Sequence, residues 1–295
     1  MLVSGLPAAA AFGRICAVAA AGQRDLSECA ASRPELFPAN PFDGALFGAV
    51  TLANAFCAPG LDADQLRIAN RTTLWAFGVD WLIDYRAVSR LEVQEVVDGC
   101  LAVADGVTPT PDHPITLFLA DIRDELAGVP GYAMLHPVWR EELRLMLEAM
   151  AREWEWKAAR DKESVLPSLD DYLNNADNHG STFVNMSHWV FSESLESADG
   201  LERVLTASRA AQRVLRLLND LATYPRDVAW GDLNALMLGV DQAEVLRRLG
   251  VLLEHCHAEL DLLGSVRPRL AEFIERQVGF CMGFYEMADY WGTLQ

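Results

Sequence analysis

Basic residues are scarce in this sequence relative to acidic ones. Its 295 residues include 24 Lys and Arg against 42 Asp and Glu, which gives a formal net charge of −18 at pH 7. Because a surface of that charge repels a polyanion, we expect no nucleic-acid partner. A phosphorylated small molecule can still bind where carboxylates in one cleft recruit divalent cations and so reverse the local charge.

Cysteine pairs of the metal-binding kind are also absent. The six cysteines are scattered, with no CxxC pair and no zinc-ligand spacing. The sequence therefore predicts buried thiols in a reducing compartment. They are Cys16, Cys29, Cys57, Cys100, Cys256 and Cys281.

Long apolar runs are missing outside the Ala-rich N-terminus. No later stretch reaches the roughly 18 uncharged apolar residues that span a bilayer. The N-terminal stretch could be mistaken for a secretion signal, but Arg14 lies inside its apolar part rather than ahead of it. The sequence therefore predicts a cytoplasmic protein without a membrane segment, with residues 1–40 as a poorly ordered N-terminal segment.

Alternating runs of β-branched residues, which mark strands, are nearly absent. Apolar residues instead recur at intervals of three and four almost throughout, which is typical of helices. Gly and Pro punctuate the chain between about ten predicted helices, and no repeat or long linker divides it. We therefore predict an all-α fold, with residues 1–295 as one domain.

The segment Phe77-Gly-Val-Asp80-Trp-Leu-Ile-Asp84 carries two carboxylates on an otherwise apolar helix. Asp80 and Asp84 are four residues apart and so share one helix face. Two unpaired like charges there are costly unless a cation binds them. The pair is thus a candidate metal site, and the alternative is an exposed helix end beside Tyr85-Arg86.

A second polar segment ends a long apolar helix. Asn219, Thr223 and Asp227 are spaced by four residues, so in a continuous helix they form a stripe of three oxygen ligands. Such oxygens suit Mg²⁺, which keeps several waters for substrate phosphates to replace. The alternative is a helix-capping cluster, because Pro225 disfavours a continued helix.

These two segments resemble the two metal motifs of class I terpene synthases. Phe77-x-x-Asp80-x-x-x-Asp84 is similar to the aspartate-rich motif, although Trp81 stands where the family usually has a second Asp. Asn219-Asp-x-x-Thr223-x-x-Arg-Asp227 is similar to the second motif. The resemblance covers roughly residues 40 to 292. It implies a helical bundle around a central cavity, with about three Mg²⁺ ions held by the five residues Asp80, Asp84, Asn219, Thr223 and Asp227.

One departure from the family pattern favours a bicyclic substrate, and a second concerns the diphosphate contacts. Members that take acyclic prenyl diphosphates usually carry a diphosphate-sensing Arg where this sequence has Ala176, and kaurene-synthase-type enzymes, which act on copalyl-type diphosphates, also lack it. The usual terminal Arg-Tyr pair is represented by Asp289-Tyr290. We therefore expect Arg216 and Arg226 to contact the diphosphate. No DxDD sequence for protonation-initiated cyclisation occurs, so a separate class II cyclase would supply a bicyclic substrate.

The carbocation chemistry that the resemblance implies needs a dry cavity lined by aromatic faces. Aromatic residues at helical spacing are also common in plain cores, which is the alternative for each of them. Asn178 and His179 could hold a water or act late on a cation. The candidate substrate-binding side chains are Trp75, Phe77, Trp81, Phe183, Trp189, Asn178, Tyr285 and Tyr290, besides Arg216 and Arg226.

Two alternatives to a copalyl-type diterpene synthase stay open. A cyclase of farnesyl or geranylgeranyl diphosphate differs mainly in the sensor Arg. A non-catalytic helical relative gains support from Trp81, Ala176 and Asp289, but it does not explain the ligand-type oxygens of the second motif. A prenyl-elongating synthase would need a second aspartate-rich motif, which is absent. The oligomeric state is open, with a homodimer as one alternative.

Overall fold

The computed structural model describes residues 6–160, 166–192, 194–195 and 200–292, and these residues contain eleven α-helices and no strand. The all-α prediction is confirmed. The helices are α1 Leu6–Ala31, α2 Gly44–Cys57, α3 Arg67–Trp81, α4 Arg90–Ala104, α5 Pro114–Ala127, α6 Tyr132–Ala159, α7 Leu169–Asn174, α8 Ser181–Phe191, α9 Leu201–Trp230, α10 Gln242–Gly264 and α11 Pro268–Tyr285.

Several helices begin at residues whose chemistry suits a helix start. The Asp43 side chain accepts hydrogen bonds from the first backbone N–H groups of α2, and Ser89 and Asp241 cap α4 and α10 in the same way. Pro114 and Pro268 occupy the first turns of α5 and α11, where a missing N–H is harmless. Each such cap stabilises its helix by about 1 kcal/mol, which fixes where the elements start.

Helix α8 lies at the centre of the bundle, in contact with α3, α6 and α9. Every residue from Ser181 to Val190 is buried. Its polar groups need internal partners as a result, and Ser187 accepts a 2.8 Å hydrogen bond from Nε1 of Trp139 on α6. The apolar residues on several faces of this segment therefore reflect burial within a thick bundle.

The N-terminal helix α1 packs against α2 and α3. Arg71 of α3 donates from Nε and Nη2 to Asp25 at 3.0 and 2.6 Å, and Leu26 is fully buried. Among the described residues, α1 is also the one helix long and apolar enough to cross a membrane by length and composition. Core helices and N-terminal signal sequences meet that criterion too.

His188, in the middle of α8, makes the stability of the fold sensitive to acid. Its ring stacks on Phe273 at 5.3 Å, and Nδ1 has no hydrogen-bond partner in the described chain. Burial lowers the pKa of His188 from 6.5 to about 4. The unfolded chain therefore binds the proton more readily, so His188 should lower the free energy of unfolding by roughly 3 kcal/mol as the pH falls from 6.5 to 4.

Urea unfolding of the parent and of His188→Leu between pH 7 and pH 4 checks this expectation. The variant should lose less stability over that range than the parent. His257→Leu is the matched control, because it changes a histidine whose side chain is 74% exposed. Equal pH dependence in His188→Leu and the parent would contradict the assignment.

Candidate active site

A single cavity contains most of the polar residues that the sequence singles out. It lies between α2, α3, α6, α9 and α11 and includes about 1410 Å³ of empty space, counting its open mouth. Both predicted motifs reach it, from the end of α3 and the last turns of α9. The predicted residues that line it are Asp80, Asp84, Asn219, Asp227, Arg216, Arg226, Phe77, Asn178, Tyr285 and Tyr290.

The first motif lies where α3 changes its geometry. The helix ends at Trp81 and continues as a π-helical turn over Leu82–Arg86, with a 2.8 Å bond from the Ala87 N–H to the Leu82 carbonyl. Such turns occur often at functional sites. Asp80 and Asp84 both line the cavity despite this change. Burial, together with the charges of Asp84 and Asp232, raises the pKa of Asp80 well above its usual range. A bound cation would relieve this cost.

Asp84 differs from Asp80 because a lysine already holds it. Lys157, near the end of α6, donates from Nζ to Asp84 Oδ1 at 3.3 Å and to Asp232 Oδ1 at 2.6 Å. Tyr85 also donates to Asp232. Burial raises the pKa of Asp84 to about 7, although Lys157 opposes the shift. Sequence reasoning missed Lys157 and Asp232, because Lys157 lies 73 residues from Asp84 and Asp232 lies 147 residues from Tyr85.

The second motif forms a continuous helical stripe. Helix α9 runs through Pro225 to Trp230, so the expectation that Pro225 interrupts the helix is wrong. Contacts around Asp227 support these last turns. Asp227 Oδ2 accepts hydrogen bonds from Thr223 Oγ1 at 2.6 Å and from Asn234 Nδ2 at 2.8 Å. The Asn219 amide nitrogen donates to the Tyr285 hydroxyl at 3.1 Å, which leaves its carbonyl oxygen available.

The donor set of the second motif fits a hard divalent ion. An amide oxygen, a hydroxyl and a carboxylate lie on successive turns, and the last two are already 2.6 Å apart. Thr223 itself is buried behind the cavity wall. No group of three or more His, Cys, Asp or Glu side chains within the described ranges forms a preformed metal site. Ions here would thus need further ligands, such as water or phosphate oxygens.

Arg216 is buried against a network of acidic and phenolic groups. Its Nε donates to the Tyr172 hydroxyl and its Nη2 to Glu153 Oε1, both at 2.7 Å, and Asp220 lies 3.5 Å away. Arg216 lines the cavity, and Nη1 makes no hydrogen bond within the described part of the chain. The network therefore fixes the guanidinium while one nitrogen stays free for a ligand.

Arg226, by contrast, forms ion pairs with two carboxylates. Nη1 donates to both oxygens of Asp289 at 2.6 and 2.7 Å, while Nε and Nη2 donate to Asp227 Oδ1 at 3.2 and 2.9 Å. Asp289, which occupies the place of the family's usual terminal Arg, thus ties the C-terminal segment to the second motif. Of the two predicted diphosphate-binding arginines, Arg216 is therefore the one with an uncommitted nitrogen.

Four of the predicted aromatic residues are not among the side chains that line the cavity. Trp75, Phe183 and Trp189 are fully buried in the core, where Trp75 Nε1 donates to the Ile115 carbonyl at 2.9 Å. Because α3 and α8 are buried on several faces, an aromatic residue on them has a core environment as readily as a cavity one. Trp81 is the fourth.

Trp81 points away from the acidic pair into an aromatic cluster. Its ring lies 4.9 Å from Tyr85, 6.2 Å from Phe42 and 6.1 Å from Trp291, measured between ring centroids. This packing gives Trp81 a structural role at the position where the family usually has a second Asp. The indole belongs to the structure that supports the motif rather than to the ligand stripe.

Trp81→Asp should accordingly destabilise the protein by about 3 kcal/mol or more without tightening the Mg²⁺ dependence of activity. The reason is that the substitution removes a packed indole and puts a carboxylate among aromatic rings. Thermal unfolding and a Mg²⁺ titration measure the two effects, with Trp81→Phe as a control that should be milder in both. A stable Trp81→Asp protein with a markedly lower Mg²⁺ requirement would contradict this explanation.

A short 3-10 turn lies just before α8. The turn over Ala176–His179 ends at Gly180, whose φ of 73° is a left-handed conformation that favours glycine. Ala176 is buried and does not line the cavity, whereas Asn178 and His179 do. Asn178 donates to Glu153, so the turn is attached to the Arg216 network.

The comparisons with known proteins agree with this arrangement. Residues 72–247 match the family described as terpene synthase family 2, C-terminal metal binding, a span that includes both motifs. The chain belongs to this terpene synthase family. The matched segment begins within α3 and ends within α10, so the family's metal-binding region contains the acidic cavity wall.

Individual terpene synthases are similar over most of the chain. The ent-pimara-9(11),15-diene synthase of Streptomyces sp. strain KO-3988 is 25% identical over 91% of this chain and 91% of its own. A (+)-T-muurolol synthase of Roseiflexus castenholzii, named as cyclising (2E,6E)-farnesyl diphosphate, is 26% identical over 61% of this chain and 56% of its own.

Solved structures share the fold. The 2-methylisoborneol synthase of Streptomyces coelicolor A3(2), solved with Mg²⁺ and geranyl-S-thiolodiphosphate, superposes with a TM-score of 0.66 at 16% identity, covering 95% of this chain and 94% of that one. The abietadiene synthase of Abies grandis gives 0.67 at 16% identity, covering 94% of this terpene synthase and 38% of that chain. At such identity the likeness concerns the fold alone.

Proposed function

We propose that this terpene synthase is a class I diterpene synthase that ionises a bicyclic, copalyl-type C20 diphosphate. One observation carries the proposal. Two oxygen-rich motifs, whose first members Asp80 and Asn219 are 139 residues apart in the sequence, line one cavity whose wall also includes apolar and aromatic side chains. A polar wall for the diphosphate and an apolar space for the hydrocarbon are what the reaction requires.

The metal would be Mg²⁺, held by Asp80, Asn219, Thr223 and Asp227, with Asp84 as the weaker ligand because of Lys157. Bound Mg²⁺ stabilises the negative charge of a departing diphosphate. The residues themselves do the rest. Arg216 offers its free Nη1 to a phosphate oxygen, and the Glu153 carboxylate keeps the guanidinium in place.

The hydrocarbon end of the substrate would lie against the apolar wall. Phe77 and Tyr285 present aromatic rings there, whose negative faces stabilise a carbocation. The buried wall also excludes water, which would otherwise trap the cation as an alcohol. These side chains thereby protect the cation while it rearranges.

Two observations support a bicyclic C20 substrate over an acyclic one. Ala176 stands in place of the sensor Arg, which the resemblance to class I terpene synthases associates with acyclic substrates. Ala176 is buried outside the cavity. The relative similar over nine-tenths of the chain is named as a pimaradiene synthase. A separate class II cyclase would then supply the substrate. A cytoplasmic location and a homodimer belong to the same proposal.

A cyclase of farnesyl or geranylgeranyl diphosphate is the second candidate. The similarity to a synthase named as cyclising farnesyl diphosphate favours it, although that similarity covers less of the chain. The two candidates share the metal motifs and differ only in the shape of the hydrocarbon that enters the cavity.

Incubation with single substrates distinguishes the candidates. The purified protein is given farnesyl, geranylgeranyl, copalyl and ent-copalyl diphosphate separately with Mg²⁺, and the hydrocarbon products are identified by gas chromatography and mass spectrometry. We expect turnover of a copalyl-type diphosphate. Turnover of acyclic substrates alone would establish the second candidate, and turnover of none would favour a non-catalytic relative.

A further inference from the structure

One basic side chain on the cavity wall has no part in the metal motifs. His179 closes the 3-10 turn before Gly180, and its ring lines the cavity. Its Nδ1 is shielded from solvent and has no hydrogen-bond partner within the described ranges, so the nitrogen that can face the cavity is Nε2, which makes no hydrogen bond there either. An imidazole nitrogen without a partner is unusual, because enclosed polar groups are nearly always hydrogen-bonded.

The carboxylates on the wall are already committed. Asp232 pairs with Lys157, Asp289 pairs with Arg226, and Glu153 pairs with Arg216. Asp220 accepts from the Tyr172 hydroxyl and from the Ala235 N–H. Asp80, Asp84 and Asp227 belong to the metal motifs. His179 is therefore the uncommitted base among the side chains that line the cavity.

His179 is also neutral in the folded protein. Burial, with the nearby charge of Arg216, lowers the pKa of His179 to about 4, so its ring can accept a proton at neutral pH. A neutral ring does not repel a carbocation, and the same Arg216 that would bind the diphosphate keeps the imidazole unprotonated.

We propose that His179 ends the reaction by taking a proton from the last carbocation, an inference that rests on the proposed function. The C–H bond next to the cationic carbon breaks, and its electron pair becomes the second bond of a C=C. The proton goes to the ring, which becomes an imidazolium. After the olefin leaves, the imidazolium returns the proton to water or to the released diphosphate.

The test separates proton removal from ionisation. Diphosphate release and the product spectrum are measured for the parent, His179→Gln and the matched control His188→Gln, which changes a buried histidine outside the cavity. His179→Gln should release diphosphate at a rate within a few-fold of the parent. The share of the parent's main olefin should fall by roughly tenfold, in favour of alcohols and isomeric olefins. His188→Gln should keep the parent's spectrum.

Chemical rescue distinguishes a base from a residue that only shapes the wall. Added imidazole should restore the main olefin in His179→Ala, which a purely structural role would not allow. An unchanged spectrum in His179→Gln, loss of diphosphate release in that variant, or a parent that makes only an alcohol would each overturn the inference while the proposed function stands. A parent that releases no diphosphate from any substrate overturns the proposed function itself.

Discussion

Asp80→Asn is expected to reduce diphosphate release at least about 10³-fold while leaving the protein folded and no less stable. Asp80 lines the cavity without a basic partner, and its burial beside Asp84 and Asp232 raises its pKa well above its usual range. Its carboxylate therefore costs stability in the absence of a cation. Removing the charge should abolish a metal ligand without removing core volume.

The measurement is single-turnover diphosphate release together with urea unfolding. Asn219→Ala should behave like Asp80→Asn in the activity assay. Asp84→Asn is the matched control and should be milder, because Lys157 already neutralises Asp84. Parent-like release by Asp80→Asn would refute the metal role given to this residue.

Arg216→Met should lower both activity and stability. It leaves Glu153 and Asp220 as buried carboxylates without their cation, which destabilises a protein by about 3–5 kcal/mol. Loss of the free Nη1 should reduce diphosphate release by about 10²-fold or more, as for other donors to a developing anion. Urea unfolding and single-turnover kinetics measure the two losses separately.

The double variant Arg216→Met/Glu153→Gln distinguishes the loss of stability from the loss of activity. It removes the stranded Glu153 charge, so it should recover part of the stability. Its activity should stay as low as that of the single variant, since the diphosphate donor is still missing. Recovery of activity together with stability would mean that Arg216 acts only through the fold.

The local features of the site follow from sequence spacing. Asp80 with Asp84, and Asn219 with Thr223 and Asp227, are spaced by single helical turns, so a periodicity of 3.6 places each set on one face. The helices themselves follow from apolar periodicity and from Gly and Pro punctuation. The prediction of two motifs facing one cavity needed the family resemblance, because spacing says nothing about how distant helices meet.

The partners of these residues could not be predicted. Glu153 lies 63 residues before Arg216, and Lys157 lies 73 residues after Asp84, so no local pattern connects either pair. Cavity and core aromatics also look alike in sequence, and Trp75, a candidate for the cavity wall, lies buried in the core. The continuation of α9 through Pro225 depends on contacts to Asn234, which only the tertiary structure supplies.

We propose that the two motifs ionise a prenyl diphosphate in a metal-dependent reaction. Inorganic diphosphate release is the most direct measurement, with copalyl, ent-copalyl, farnesyl and geranylgeranyl diphosphates tested in Mg²⁺ and again after removal of Mg²⁺ by a chelator. We expect release from a copalyl-type diphosphate that stops with the chelator and resumes when Mg²⁺ is restored. Release that continues without Mg²⁺, or no release from any of the four substrates, would contradict this proposal.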